Sequence, residues 1–352
     1  MRRAYLYTLL IVVCWGIGPP TNKALLLARG PGAQLSPLQV AFWAIVVGWV
    51  ALLALMVARD RVRRFGDLAP RGWLVLAAMG FFGWSSYPVA LNFAFVRMPL
   101  PDALLINYLH PVFVVVFQGT VFGAIVRPIT GWEQRPDYQR RPAPARLALA
   151  LGLCLLGVAI IATNGQLTTL AGIRSAWGAL AALYAAFAWG VYSNLGRFVP
   201  VRPGRDARGL SDVHAFLSMT FGLAMLAAIL TLTHQVRSAS GLSASFYLGP
   251  SGPVHLPAWW LIAVLGLGVY CGSYTLWLYA LELGGRFGEA HKLPPLTYLA
   301  PAVAVTLGWL VLHEPFRPAF WTGAALIVAG NAVNVWRPAG IGVSPRGGQA
   351  EG

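Results

Sequence analysis

Charge is scarce in this chain. Only 11% of its 352 residues are Asp, Glu, Lys or Arg, and the acids number 11. Soluble domains carry about 25% charged residues, so a water-exposed surface for the whole chain is excluded. Lysine occurs twice, as Lys23 and Lys292, and no acid stands in the middle of a long apolar run. Cysteine is equally sparse. Cys14, Cys154 and Cys271 lie singly in apolar runs without CxxC spacing, which excludes a disulfide framework and a zinc site. HExxH, GxSxG and paired intramembrane aspartates are missing as well; the "HEP" at His313 is no metal motif. An enzyme is therefore not expected, nor is a cofactor or a metal. A cleavable signal is not expected either, because the first apolar block runs past signal-peptide length without a small-residue cleavage site.

Apolar residues are what the chain has in quantity, at 57%. They come in blocks such as "VAFWAIVVGWVALLALMVA" and "ALALGLCLLGVAIIA" that are apolar on every face. Segments of about 20 such residues match the thickness of bilayer hydrocarbon. The expected fold class is an all-α polytopic membrane protein. Ten spans are expected at roughly 4–28, 37–58, 72–96, 101–126, 146–164, 177–198, 213–234, 257–283, 287–312 and 316–336.

The net charge of +15 gathers between the spans, as in "ARDRVRR" and "RPDYQRRPAPAR". Without a basic helix interleaved with aromatics, it reads as a topology signal and not as a nucleic-acid surface. With a cytoplasmic N-terminus, 20 of the 26 basic residues fall inside and 6 outside. Both termini are thus expected in the cytoplasm, in the cell (plasma or inner) membrane. A small-molecule substrate and the bilayer are the expected partners; a homodimer is left open.

Marks in the first half recur in the second. Trp15-Gly16 with Lys23 corresponds to Trp189-Gly190 with Arg197, and Tyr108-Leu109-x-Pro111 to Tyr298-Leu299-x-Pro301. Five spans per repeat is an odd number, so the second repeat is expected upside down relative to the first. Inverted repeats are how many secondary transporters build a midplane site with two alternating mouths. The expected units are residues 1–165 and 166–338, followed by a disordered cytoplasmic tail at 339–352.

The prolines locate the candidate cavity. A proline inside a helix removes one N–H and strands the carbonyl four residues earlier. Pro111 thus strands Asn107, Pro301 strands Thr297, Pro88 strands Trp84, and Pro19 and Pro20 loosen Trp15 and Gly16. Pro294 unsettles the start of span nine. Such groups survive at membrane depth when protein buries them or when they face a wet cavity. Asn107 and His110 share a helix face beside Tyr108. Tyr270, Tyr274 and Trp277 form a stripe on span eight, and Trp84, Tyr87 and Asn92 a rougher one on span three. Trp189, Tyr192 and Tyr298 complete the expected substrate-binding set. Gly178, Ala182, Ala186 and Gly190 form a smooth ridge, read as helix packing.

These residues resemble the drug/metabolite transporter superfamily, in its ten-span class with two inverted EamA-type repeats. The marks are "CWGIGPPTNKALL", "FAWGVYSNLGR" and "YLAPAVAVTLGWLVLHEPFRPAFWTGAALIVAGNAVNVW", with the Glu314-Pro315 turn. "NYLHP" is similar to the branch that exports aromatic and other neutral amino acids. The first repeat departs from the pattern, with "FGAIVRPITGWEQRP" in place of a Glu-Pro turn. The resemblance implies a path enclosed by spans one, three, four, six, eight and nine.

An aromatic cavity without mid-span acids suits neutral, zwitterionic or aromatic solutes. The expected function is export or exchange of amino-acid-like metabolites. A nucleotide-sugar or phosphorylated-metabolite carrier would need cations along the path, and Lys23 and Lys292 both read as terminal. A lipid-linked substrate stays open as a further alternative.

Overall fold

The computed structural model describes residues 2–28, 35–117, 144–163, 165, 173–205, 210–235, 242–247, 252–277, 280, 283, 299–314 and 317–335. Helix dominates throughout. The chain opens with α1 (Arg2–Leu26), which runs unbroken through Pro19 and Pro20, and α2 (Pro37–Ala58). Ser36 starts α2 with a capping box: its hydroxyl accepts from the Gln39 N–H, and its own N–H donates to Gln39 Oε1. Gln39 Nε2 then donates to the Gln235 carbonyl at 2.6 Å, tying this helix start to the second half.

Span three is α3 (Pro70–Met79), a π-helical stretch at Gly80–Ser86, and α4 (Tyr87–Arg97). At Pro88 the helix widens instead of breaking. The Tyr87 N–H reaches the Phe82 carbonyl, a wide i→i+5 turn placed just before the proline. Span eight repeats the device: α10 (Ala258–Ala263) leads into a π-helical stretch at Val264–Ser273. Between α4 and α10 come α5 (Leu100–Asn107), α6 (His110–Val116), α7 (Pro144–Thr163), α8 (Ile173–Leu195) and α9 (Ser211–Leu232). Last are α11 (Ala300–Leu312) and α12 (Pro318–Val335).

Among the described residues five helices are long and apolar enough to cross a membrane: Arg2–Leu26, Pro37–Ala58, Pro70–Arg97, Ser211–Leu232 and Ala258–Trp277. Leu232, Trp260 and Trp321 are among the large apolar side chains on the outer surface, as a lipid solvent requires. One element departs from the all-α expectation. Between the expected spans seven and eight lies an antiparallel hairpin, β1 (Ser243–Tyr247) with β2 (Pro253–Pro257). Alternation explains it, since Ala244 and Phe246 turn inward while Ser245 between them is exposed.

Contacts between the halves come in exchanged pairs. Span two packs on the π stretch of span eight through Gly48 and Gly266, and span seven packs on the π stretch of span three through Gly222 and Gly80. In the same way α1 packs on α11, and α8 packs on α6. Small residues at each crossing let the backbones approach, which is what drives helix association in lipid. The ridge on α8 does so against span three: Gly178 faces Arg97 and Met98, while Ala182 and Ala186 are fully buried.

Candidate functional site

Span four is interrupted where the sequence places its proline. α5 stops at Asn107, Tyr108 and Leu109 leave regular geometry, and α6 restarts at His110 with Pro111 in its first turn. The carbonyl that Pro111 strands does not go unmet. His110 Nδ1 donates to the Asn107 carbonyl oxygen at 3.2 Å, which places a proton on Nδ1. The imidazole therefore repairs the break it sits beside. On α11, Leu299 takes backbone angles close to those of Leu109, and Pro301 again lies in the first turn. Tyr298 and Pro294 lie outside the described residues.

Around this break, rings from four spans meet. Tyr108 lies 5.4 Å from His110, and His110 6.2 Å from Trp189. Trp189 in turn meets Tyr87 at 5.0 Å, Tyr192 at 5.4 Å and Tyr274 at 6.2 Å. The fully buried Trp84 packs beside the group, against Tyr274 at 4.8 Å and Tyr270 at 6.0 Å. Tyr87, Tyr108, His110, Trp189, Tyr192 and Tyr274 remain half-buried although each touches another ring of the group. Two polar atoms of the cluster are buried without a hydrogen bond among the described residues, Asn107 Oδ1 and Ser86 Oγ. Among the described residues Asn107 Nδ2 makes a long contact, 3.5 Å, to the Tyr87 hydroxyl.

Three expected cavity residues are placed otherwise. Trp84 is fully buried, and its indole N–H donates to Ser218 Oγ at 2.9 Å, so it cements span three to span seven. Asn92 is buried too and donates to the Pro37 carbonyl, bracing the start of α2. Trp277 stands apart from the cluster, 6.1 Å from Trp15, whose own indole donates to Ser273 Oγ.

Sequence reasoning missed a second set of polar residues. Lys23, which read as terminal, is buried: its ammonium lies 2.7 Å from Glu314 Oε1 and donates to the Met98 carbonyl at 3.0 Å. Asp102, at 1% exposure, faces Arg317 Nε at 3.8 Å. Lys23 and Glu314 both lie in motifs that carry the family resemblance, but no spacing rule connects residues so far apart. At the opposite end Arg61 pairs with Asp212 and Arg205 with Asp67, beside an isolated bridge between Leu68 and Val201.

The EamA-like transporter family matches residues 2–132 and 176–336, which is most of both halves. An uncharacterized transporter of Bacillus subtilis (strain 168), YvbV, is 25% identical over 333 residues, spanning 93% of this chain and 89% of that protein. A solved crystal structure shares the fold with a TM-score of 0.52 at 22% identity, covering 94% of this chain and 95% of that one. The chain belongs to the EamA-like transporter family of the drug/metabolite transporter superfamily: it is a multi-pass membrane transporter and not an enzyme.

Proposed function

We propose that this transporter moves small neutral, zwitterionic or aromatic metabolites of amino-acid type, by export or exchange, through alternating access. The observation that carries the reading is the ring cluster drawn from spans three, four, six and eight. It takes residues from both halves, is built of uncharged side chains, and holds two buried polar atoms that lack partners among the described residues. A solute with an aromatic or apolar body would stack on Trp189, Tyr87 and Tyr274. Its amide or ammonium hydrogens would satisfy Asn107 Oδ1. Ten spans in two inverted repeats, 1–165 and 166–338, give the framework, and the exchanged helix pairs support it. Loop charge supports cytoplasmic termini in the plasma or inner membrane.

A carrier of phosphorylated metabolites is less well supported, because Lys23 and Arg317 already face Glu314 and Asp102. The test is counterflow in proteoliposomes loaded in turn with each of a panel of amino acids and sugar phosphates. Uptake of labelled aromatic or neutral members is expected. Exchange confined to sugar phosphates, or no exchange across the panel, would reject the substrate class.

A further inference from the structure

Where α1, α5, α11 and α12 meet, four charged groups share one buried site. The ammonium of Lys23 and the carboxylate of Glu314 are 7% and 14% exposed, Asp102 is 1% exposed and Arg317 is 36% exposed. Each ion pair crosses between the halves, with Lys23 and Asp102 from the first and Glu314 and Arg317 from the second. The four charges cancel, but the pairing is uneven. Lys23 has both Glu314 and the Met98 carbonyl, whereas Asp102 Oδ2 accepts no hydrogen bond among the described residues. A separation of 3.8 Å from Arg317 is beyond hydrogen-bond reach. An ionised carboxylate buried in that way lacks the donors that would offset its lost hydration.

Two relaxations are open to it. A proton can neutralise Asp102, or Lys23 can turn from Glu314 to Asp102. The second regroups the charges within each half, as Lys23–Asp102 and Glu314–Arg317, so the halves could part at this end with no charge left alone. The charged groups facing Asp102 are Lys23 from α1 and Glu314 and Arg317 from the α11–α12 connection. Asp102 also sits in the first turn of α5, where the helix dipole favours the anion and keeps the carboxyl titratable.

We propose that Asp102 is the proton-binding site of this transporter and that its proton is exchanged as the seam between the halves opens. With the seam shut, Lys23 holds Glu314 and Asp102 carries the proton. On opening, Lys23 pairs with Asp102, the Asp102 O–H bond breaks, and the proton leaves to water while the electron pair stays on the carboxylate. Lys23 remains an ammonium throughout. The inference rests on the alternating-access reading but not on any substrate. Low pH therefore favours the shut seam, and rising pH opens it.

The test uses the full chain in nanodiscs, with its native cysteines replaced and spin labels at Val96 and Trp321. Both positions are exposed near this end of the molecule, at 50% and 66%. Distances are measured without substrate from about pH 5 to about pH 9. The wild-type arrangement is expected to give a short distance at low pH and a growing longer population as pH rises. Asp102→Asn is expected to hold the short distance at every pH. Glu314→Gln releases Lys23 to Asp102, so its midpoint is expected to fall by about one pH unit or more. A pH-independent wild-type distance, an unaltered response in Asp102→Asn, or a midpoint that does not fall in Glu314→Gln would each overturn the proposal. Should Asp102→Asn fail to fold, the Glu314→Gln midpoint decides alone. Because no substrate is added, a failed transport panel leaves this result untouched.

Discussion

Gly16 packs against Val303 so tightly that a Cβ built on it would lie 2.6 Å from the Val303 Cβ; Gly190 stands in the same relation to Phe113, also at 2.6 Å. Each glycine follows a repeat's tryptophan, and each partner stands two residues past a repeat's proline. The recurring marks are thus two sides of one contact, made twice, each time between opposite halves. Adding a side chain to a well-packed interior costs about 1–3 kcal/mol. Gly16→Ala and Gly190→Ala are each expected to lower the melting temperature in detergent. An unchanged Tm in both would show that the crossings have room for a methyl group.

Lys23 and Glu314 form a buried pair, and removing one partner of such a pair costs about 3–5 kcal/mol. Lys23→Met leaves the Glu314 carboxylate without its cation and should sharply reduce folded yield. Glu314→Met should cost less, because Lys23 can turn to Asp102, and the double variant should recover much of the Lys23→Met loss. Thermal melts of the three proteins provide the check. Additive losses would mean that the two groups do not depend on one another.

Trp84 donates its indole hydrogen to Ser218 across the span three–span seven crossing. Trp84→Phe keeps the ring mass and deletes the donor, so Ser218 loses a buried partner at a cost of about 1–3 kcal/mol. Stability should fall while the folded fraction keeps its exchange rate. Loss of exchange with an unchanged Tm would instead make Trp84 part of the substrate site.

Much of the fold is legible in the residues themselves. Long blocks apolar on all faces have no stable home except lipid. A proline in such a block must displace a carbonyl, so the span-four break at Tyr108–Leu109 follows from the position of Pro111. Three things are hidden. The π turns at Gly80–Ser86 and Val264–Ser273 carry no simple signature. Pro19 and Pro20 read as loosening α1, which runs on through them. Burial of Lys23 and Asp102 depends on helices hundreds of residues away, and a charged residue near a span end looks the same whether it faces water or a partner.

Sidedness follows from loop charge and can be read in cells. Leu27, at the end of α1, and Arg205, in the span six–span seven connection, are exposed at opposite ends. In a cysteine-free background, an impermeant thiol reagent added to intact cells should label Leu27→Cys and spare Arg205→Cys. The reverse pattern would invert the orientation.

The central claim is that the ring cluster shared by the two halves is the substrate path, and the rate of amino-acid counterflow in Trp189→Ala tests it most directly. Trp321→Ala, on the lipid-facing surface, serves as the control. Trp189→Ala is expected to lose exchange by at least about tenfold at normal membrane insertion, with the control near the wild-type rate. Wild-type exchange in Trp189→Ala would contradict it.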